Sequence, residues 1–269
     1  MKRLALVLAL LLLLASCKGG SGTAASPSSR PDPTPSFAPE PSPVPDPDAP
    51  WWERLTAGDL PNALAAPEDL SGAGEQCFLL GNLKDPDISL YGVAGEDVVL
   101  LRQGETLAAF EQVYRARPQA VLPELWWTDL DGDGAEELAV RYLSGADEDH
   151  LVYDLHIYAW DGERWSDCAV TKNACADRAL SQVEVRRESG CITLSCGRTS
   201  AVYQLPQGSG DGRLVLDSGF FRFQDGVFTV VLGARVDQLS HFANVLADID
   251  YADGSFTLRN LRVEPTMGV

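Results

Sequence analysis

Residues 151–165 read LVYDLHIYAWDGERW and carry the clearest fold signal in the chain. Ten residues rich in aromatic and β-branched side chains precede the pair Asp161-Gly162, and Trp165 follows shortly after it. An Asp-Gly pair between strand-forming residues is the strongest short-range hairpin signal, because both residues tolerate the positive φ of a tight turn. The stretch therefore predicts two antiparallel strands joined by a turn.

Similar strand and turn signals recur on both sides of this hairpin. Apolar or alternating runs occupy residues 98–101, 138–143, 221–231 and 249–258, and turn pairs stand at Ser189-Gly190, Asp225-Gly226 and Asp253-Gly254. Runs of this kind between turn pairs predict strands joined by hairpins. We predict an α+β fold in which β structure predominates, built from antiparallel, hairpin-rich sheets.

Two short helices are expected beside the strands. The first covers residues 51–55, WWERL, and would dock its two indoles on the domain. The second follows residues 104–106, because apolar side chains then recur at the i, i+3 and i+7 spacing of an amphipathic helix. These side chains are Leu107, Phe110 and Tyr114.

The first residues of the chain have the pattern of an export signal. Lys2 and Arg3 supply positive charge, and residues 4–14 are an eleven-residue run of Leu, Val and Ala. This run is shorter than the roughly 20 residues of a membrane-spanning helix and has the length of a signal-peptide apolar region. It leads into Leu14-Ala15-Ser16-Cys17, which resembles the lipobox of bacterial lipoproteins.

That resemblance implies a lipoprotein signal peptide over residues 1–16 and a lipid anchor on Cys17. The thiol would carry diacylglycerol, and the mature chain would be held at the extracytoplasmic face of the cell membrane. The alternative is an ordinary secretory signal in which Cys17 has no special role.

Residues 17–50 are expected to form a disordered linker. Ten of the 17 prolines fall in this segment, and few of its side chains are apolar. Proline removes amide donors and pushes the preceding residue to extended geometry, so such a segment cannot build a core. Fully extended, it could lift the domain by roughly 100 Å. The alternative reading is a proline-rich ligand for a groove-type partner.

Residues 51–269 are expected to fold as one α+β surface domain. The chain is 45% hydrophobic, which is enough to bury a core. Its net charge is -18 and its pI is about 4.4. Nucleic acid and anionic headgroups are therefore poor partners for the domain, because phosphate binding needs clustered Lys and Arg.

An acidic loop at residues 129–140, DLDGDGAEELAV, is the motif with the clearest chemistry. Carboxylates stand at loop positions 1, 3, 5 and 9, and calcium takes about six to eight oxygen ligands that a loop of this spacing can wrap around one ion. Val140 occupies position 12, where an EF-hand has its bidentate glutamate, so the loop departs from that motif.

The loop resembles the calcium loop of FG-GAP and VCBS-type β proteins, in which the ion sits in a turn that runs straight into a strand. The resemblance implies that Glu136 points to solvent and that one calcium ion is held by five residues. These ligands are Asp129, Asp131, Asp133 and Glu137 through their carboxylates and Ala135 through its carbonyl. The family carries several copies along a propeller, whereas this chain carries one.

A wider resemblance covers most of residues 97–263. The order of the apolar strand at 98–101, the acidic loop and the late stretch DYADGSFTL at 250–258 is similar to uncharacterised surface lipoproteins of Gram-positive gut bacteria. This resemblance implies a location at the cell surface and adds no reaction.

The remaining five cysteines are an odd number, so at least one stays free or pairs between molecules. An exported domain permits disulfides, and we consider either two bridges of unassigned pairing among the last four or inert buried thiols. Cys191 and Cys196 lie five apart in an expected strand, which places them on opposite faces. The five are Cys77, Cys168, Cys175, Cys191 and Cys196.

The histidines and tryptophans do not identify a functional site by themselves. His150 and His156 could share one face of a strand, but no third ligand is indicated. Trp126 and Trp127 precede the acidic loop, and one ring is expected in the core and the other over the loop, with a sugar-stacking platform as the alternative. The sequence contains no G-x-S-x-G, H-E-x-x-H, P-loop or G-x-G-x-x-G motif.

The absence of a catalytic motif favours a non-enzyme. We expect a lipid-anchored extracellular binding or interaction protein of unknown ligand, with calcium as a structural ion. Two other classes stay open: an extracellular hydrolase that acts on glycans through unassigned carboxylates, and a structural component of a surface complex.

Overall fold

A computed structural model describes residues 48–65, 76–111, 121–146, 151–188, 190–206 and 212–266, without the side chain of Ser218. These residues belong to one compact unit, Pro45–Val269. The predicted signal peptide, Cys17 and most of the predicted linker lie outside the described residues.

The described residues form four antiparallel sheets, and in each one the strands follow one another in chain order. Sheet 1 contains β1 (Cys77–Leu83), β2 (Ile88–Val93), β3 (Val98–Gln103) and β4 (Thr106–Glu111). Sheet 2 contains β5 (Glu124–Thr128), β6 (Glu137–Ala146), β7 (Leu151–Trp160) and β8 (Trp165–Val170). Sheet 3 contains β9 (Glu184–Glu188), β10 (Cys191–Cys196) and β11 (Thr199–Gln204). Sheet 4 contains β12 (Leu214–Gln224), β13 (Val227–Val236), β14 (Ala243–Ala252) and β15 (Ser255–Pro265).

The predicted β-predominant fold with antiparallel, hairpin-rich sheets is thereby confirmed. β7 covers the decisive run of aromatic and β-branched residues, and Trp160 pairs with Trp165 across the predicted hairpin. In sheet 4, Asp225-Gly226 and Asp253-Gly254 form two-residue turns in which both residues have positive φ. Turns of this kind match the right-handed twist of the strands that they join. Sheets 1, 2 and 4 each have four strands in up-and-down order, which is also the strand plan of a propeller blade.

Sheet 2 is the central layer, because both of its faces are buried. On β7, Tyr158 packs in a core shared with sheet 1, while the adjacent Ile157 packs in a core shared with sheets 3 and 4. The outer face of sheet 1 is covered by the segment after residue 50, where Trp51 and Trp52 pack against buried Leu60 and Tyr91. A sheet buried on both faces reads as a continuous apolar run, because neither face needs polar side chains.

The expected N-terminal helix is present as a 3₁₀ turn at Trp51–Arg54, and a second 3₁₀ turn follows at Ala57–Asp59. The expected helix from Leu107 to Tyr114 is wrong: its first part is strand β4, and Tyr114 lies outside the described residues. Gly104 adopts a φ of +57° in the two-residue turn that starts the strand. Because residues three apart in a strand point to opposite faces, Leu107 packs against the core on the outer face of sheet 1 and Phe110 against the core shared with sheet 2.

The α-helix of the described residues, α1 (Lys172–Leu180), was not predicted. Thr171 caps its N-terminus by accepting a hydrogen bond from the amide of Ala174 at 3.2 Å. Its buried face consists of Cys175, Ala176 and Ala179, which pack in the core between sheets 2, 3 and 4. None of the described helices is long and apolar enough to cross a membrane.

Candidate functional site: the acidic loop between β5 and β6

The acidic loop joins β5 to β6, so strand pairing fixes its two ends. Thr128 is the last residue of β5 and pairs with Glu137, the first residue of β6. Asp129, at position 1 of the loop, directly follows this pair, so strand pairing holds it close to Glu137 at position 9. Residues 129–136 lie between these anchored ends in an exposed turn.

Three of the predicted ligands converge. Oxygen atoms from Asp129, Asp131 and Glu137 all lie within 4.8 Å of one another, which is close enough to share one cation. Asp133 lies outside this group, and its Oδ1 accepts the amide of Ala135 at 2.7 Å. The structure therefore supports three of the five predicted ligands as a cluster, while the parts assigned to Asp133 and the Ala135 carbonyl stay predictions.

Backbone amides hold the carboxylates in place. Asp129 accepts the amides of Gly132 and Gly134 at 2.7 and 3.1 Å, one on each oxygen. Asp131 accepts the amide of Asp133 at 3.1 Å. Both glycines have positive φ, and a Cβ at either position would meet no atom within 4 Å. Glycine is therefore needed for backbone conformation rather than for space.

Glu137 is the buried member of the cluster, with 4% of its surface exposed. Burial raises the pKa of its carboxyl group, and repulsion from Asp131, Asp133 and Asp129 acts in the same direction. The amide of Leu130 opposes this rise by donating to Oε2 at 2.8 Å. A cation among these carboxylates would offset the repulsion, because it attracts their charged forms.

The two tryptophans before the loop pack against different cores, and the expected loop contact is made by the indole N–H of the second. Trp126 packs edge-on against Phe228 in the core of sheet 4, with ring centroids 5.2 Å apart. Trp127 packs against the core shared with sheet 1, with its ring centroid 6.4 Å from that of Trp165, and its indole N–H donates to the carboxylate of Glu136 in the loop. Glu136 is exposed, as predicted, and is held at the rim of the loop by this bond.

His156 has a partner that sequence reasoning missed. Its Nδ1 lies 2.9 and 3.0 Å from the two carboxylate oxygens of Asp167 on β8. Asp167 pairs with Tyr158 across the strands, and Tyr158 is two residues from His156 on β7, so a strand register would have been needed to find this diagonal contact. The histidine is buried at 6% exposure, which matches its expected place in the core, and His150 lies outside the described residues.

The five cysteines of the domain are free thiols in the structure, so neither of the two bridges considered from the sequence is formed there. Cys175 and Cys168 are buried in the core between sheets 2, 3 and 4. Burial raises the pKa of Cys175 to about 12 and that of Cys77 to about 11. Such thiols are inert near neutral pH, because the thiolate is the reactive form.

Alkylation of the native full-length chain should therefore spare Cys175 and reach part-exposed Cys191. At pH 7 a thiol of pKa about 12 is ionised in only about one molecule in 100,000. Iodoacetamide labelling followed by peptide mass spectrometry, before and after unfolding, measures this. Equal labelling of both residues in the native chain, or a disulfide-linked peptide containing Cys175, would contradict the structure.

None of the protein-family models, curated proteins or solved structures compared with this chain matches it. The fold and the loop define an antiparallel β protein with a candidate cation-binding turn at the start of the central sheet's second strand.

Proposed function

We propose that the chain is a lipid-anchored extracytoplasmic binding protein whose β domain uses one calcium ion to hold the turn between β5 and β6. The observation that carries the calcium part is the convergence of Asp129, Asp131 and Glu137 within 4.8 Å. The leader supports the location at the membrane, because its apolar run at residues 4–14 leads into a lipobox-like sequence that ends at Cys17.

The donor set favours calcium over other common ions. The clustered side chains offer carboxylate oxygens alone, whereas zinc and copper sites use imidazole or thiolate. Magnesium demands near-octahedral geometry, while calcium accepts irregular oxygen cages with bidentate carboxylates. An exposed turn with one buried glutamate fits the less demanding ion.

The ion would act as a structural clamp. It would join Asp129, at the end of β5, to Glu137, at the start of β6, and the next residue, Leu138, is fully buried in the core with sheet 1. Ordering the turn thus fixes the edge of the central sheet. Residues 129–137 contain five acidic side chains, so a divalent cation also lowers their mutual repulsion.

Calorimetric titration of the full-length chain with calcium tests the site. Asp131→Ala should abolish the binding heat, because it removes one of three converging carboxylates. Asp161→Ala is the matched control: Asp161 is also an exposed turn aspartate that accepts backbone amides, those of Glu163 and Arg164. No heat with the unaltered chain, or equal heat with both variants, would overturn the calcium proposal.

The anchor has its own test. Cells that express the full chain should incorporate labelled palmitate into it, and Cys17→Ala should remove the label. Cys191→Ala is the matched control, because it removes a thiol from the domain and leaves the leader unchanged. Labelling that survives in Cys17→Ala would contradict lipidation at that residue.

A further inference from the structure

A pocket of about 220 Å³ lies beside the acidic loop, between sheet 4 and the central sheet. Leu130, the second residue of the loop, lines it on one side, and β13, β14 and β15 line it on the other. Pockets for drug-sized ligands usually exceed about 300 Å³, so this one has room for a single small ring.

The pocket has an apolar floor. Buried Phe228 and Ile157 line it together with Ile249 at 9% exposure, and all three belong to the core between sheets 2 and 4. Tyr251 also lines the pocket, and burial raises the pKa of its hydroxyl to about 12, with repulsion from Cys168, Glu137 and Asp131 acting in the same direction. An apolar floor with a few convergent polar groups is the usual composition of a small-ligand site.

The rim supplies both donors and acceptors. Asp248 is fixed by Thr229 and Asn260, whose side chains donate to Oδ1 and Oδ2 at 3.0 Å each. Asp250 is paired with Arg259, and both Arg259 and Thr257 bond to its Oδ2. Each carboxylate also has an arginine partner, Arg259 for Asp250 and Arg262, at 3.5 Å, for Asp248. These charges balance, so the rim does not select an ion of either sign.

The backbone is distorted at this rim. The pairing of β14 with β15 shifts between Leu246 and Asp248, so that Asn260 and Leu261 on β15 lie opposite the single residue Ala247, as in a β-bulge. Asn260 has a φ of +51° inside a strand, whereas the other described non-glycine residues with positive φ are aspartates in turns. Bulges re-aim side chains beside functional sites, and strained backbone within a strand clusters there too.

We infer that this pocket binds one uncharged sugar residue, an inference that rests on the proposed role of the domain as an extracytoplasmic binding protein. Each sugar hydroxyl both donates and accepts, so it can donate to Asp248 or Asp250 and accept from Arg259 or Asn260. The C–H face of a pyranose ring would lie on the apolar floor. Leu130 connects the pocket to the calcium loop, since its amide donates to Glu137.

Saturation-transfer NMR on the full-length chain, in calcium and a detergent without sugar headgroups, tests this. The probes are glucose, galactose, mannose and N-acetylglucosamine, with glucosamine and glucuronic acid as charged counterparts. At least one neutral sugar should bind, and Arg259→Gln should weaken it about tenfold or more, as expected for loss of a hydrogen bond to a charged group. Arg186→Gln is the matched control, because Arg186 and Arg259 are 65% and 67% exposed and each pairs with an acid.

Equal affinity in Arg259→Gln and Arg186→Gln would overturn the assignment of the pocket. Binding of the charged sugars alone, or of none of the probes, would overturn the ligand class. Calcium titration of the same samples separates this failure from failure of the proposed function, because the calcium heat depends on Asp131 and not on Arg259.

Discussion

Calcium should raise the melting temperature of the full-length chain by about 5–10 °C at one hundred times its dissociation constant. Ligand that binds only the folded state stabilises it by about 2.7 kcal/mol at that ratio. For a domain of roughly 200 residues, each kcal/mol shifts the melting temperature by about 2–4 °C. Differential scanning calorimetry with calcium and with a chelator measures the difference.

Asp131→Ala should abolish this shift without a large change in the chelated chain. The side chain is exposed and its hydrogen bond is local to the loop, so little packing is lost. Magnesium at the same concentration is the ion control and should give a smaller shift, because it dehydrates reluctantly. An equal calcium shift in Asp131→Ala and the unaltered chain would contradict the site.

Acidification should shrink the calcium shift, because the ion needs ionised carboxylates. Burial raises the pKa of Glu137, so protons displace calcium at a higher pH than an ordinary carboxyl group would allow. Without calcium, the same raised pKa has the opposite effect on stability: acidification stabilises the chelated chain. A carboxyl group whose folded-state pKa is raised contributes stability below its unfolded pKa, and this is lost as the pH rises through the folded pKa. The two melting curves should converge as the pH falls from about 7 towards the ordinary carboxyl range.

Local signals predicted most of the strands and the loop. The Asp-Gly turns in sheet 4 follow from the preference of these residues for positive φ, and the spacing of Asp129, Asp131 and Glu137 around two glycines follows from how calcium is wrapped. These features depend only on residues that are close together in the chain. They can therefore be predicted without knowing which sheet packs on which.

Long-range packing explains what the sequence did not reveal. β4 resembles a helix because both faces of sheet 1 are buried, so Leu107 and Phe110 are both apolar although they face different cores. α1 has a buried face of Cys and Ala that gives a weak apolar stripe. The pocket brings Leu130 next to residues 226–260, which lie far along the chain in sheet 4, and no local sequence pattern encodes that contact.

Truncation of Leu155 in the central sheet should strongly destabilise the fold. Leu155 is fully buried on β7 and faces the core shared with sheets 3 and 4. Leu→Ala changes at such positions cost about 2–5 kcal/mol, because a cavity is added to the lost burial. Leu138→Ala, on the opposite face of the same sheet, should cost a similar amount. Urea unfolding of the full-length variants, followed by tryptophan fluorescence, measures both.

The double variant tests whether sheet 2 separates two cores. Leu138 and Leu155 lie in different clusters and are not strand partners, so their costs should add within about 0.5 kcal/mol. Leu151→Ala is the matched control, because it makes the same change on the same strand at a position that is 44% exposed. Substitutions at the surface usually change the free energy of unfolding by no more than about 0.5 kcal/mol. If Leu151→Ala cost as much as Leu155→Ala, or if the double variant were strongly non-additive, sheet 2 could not be a layer between two independent cores.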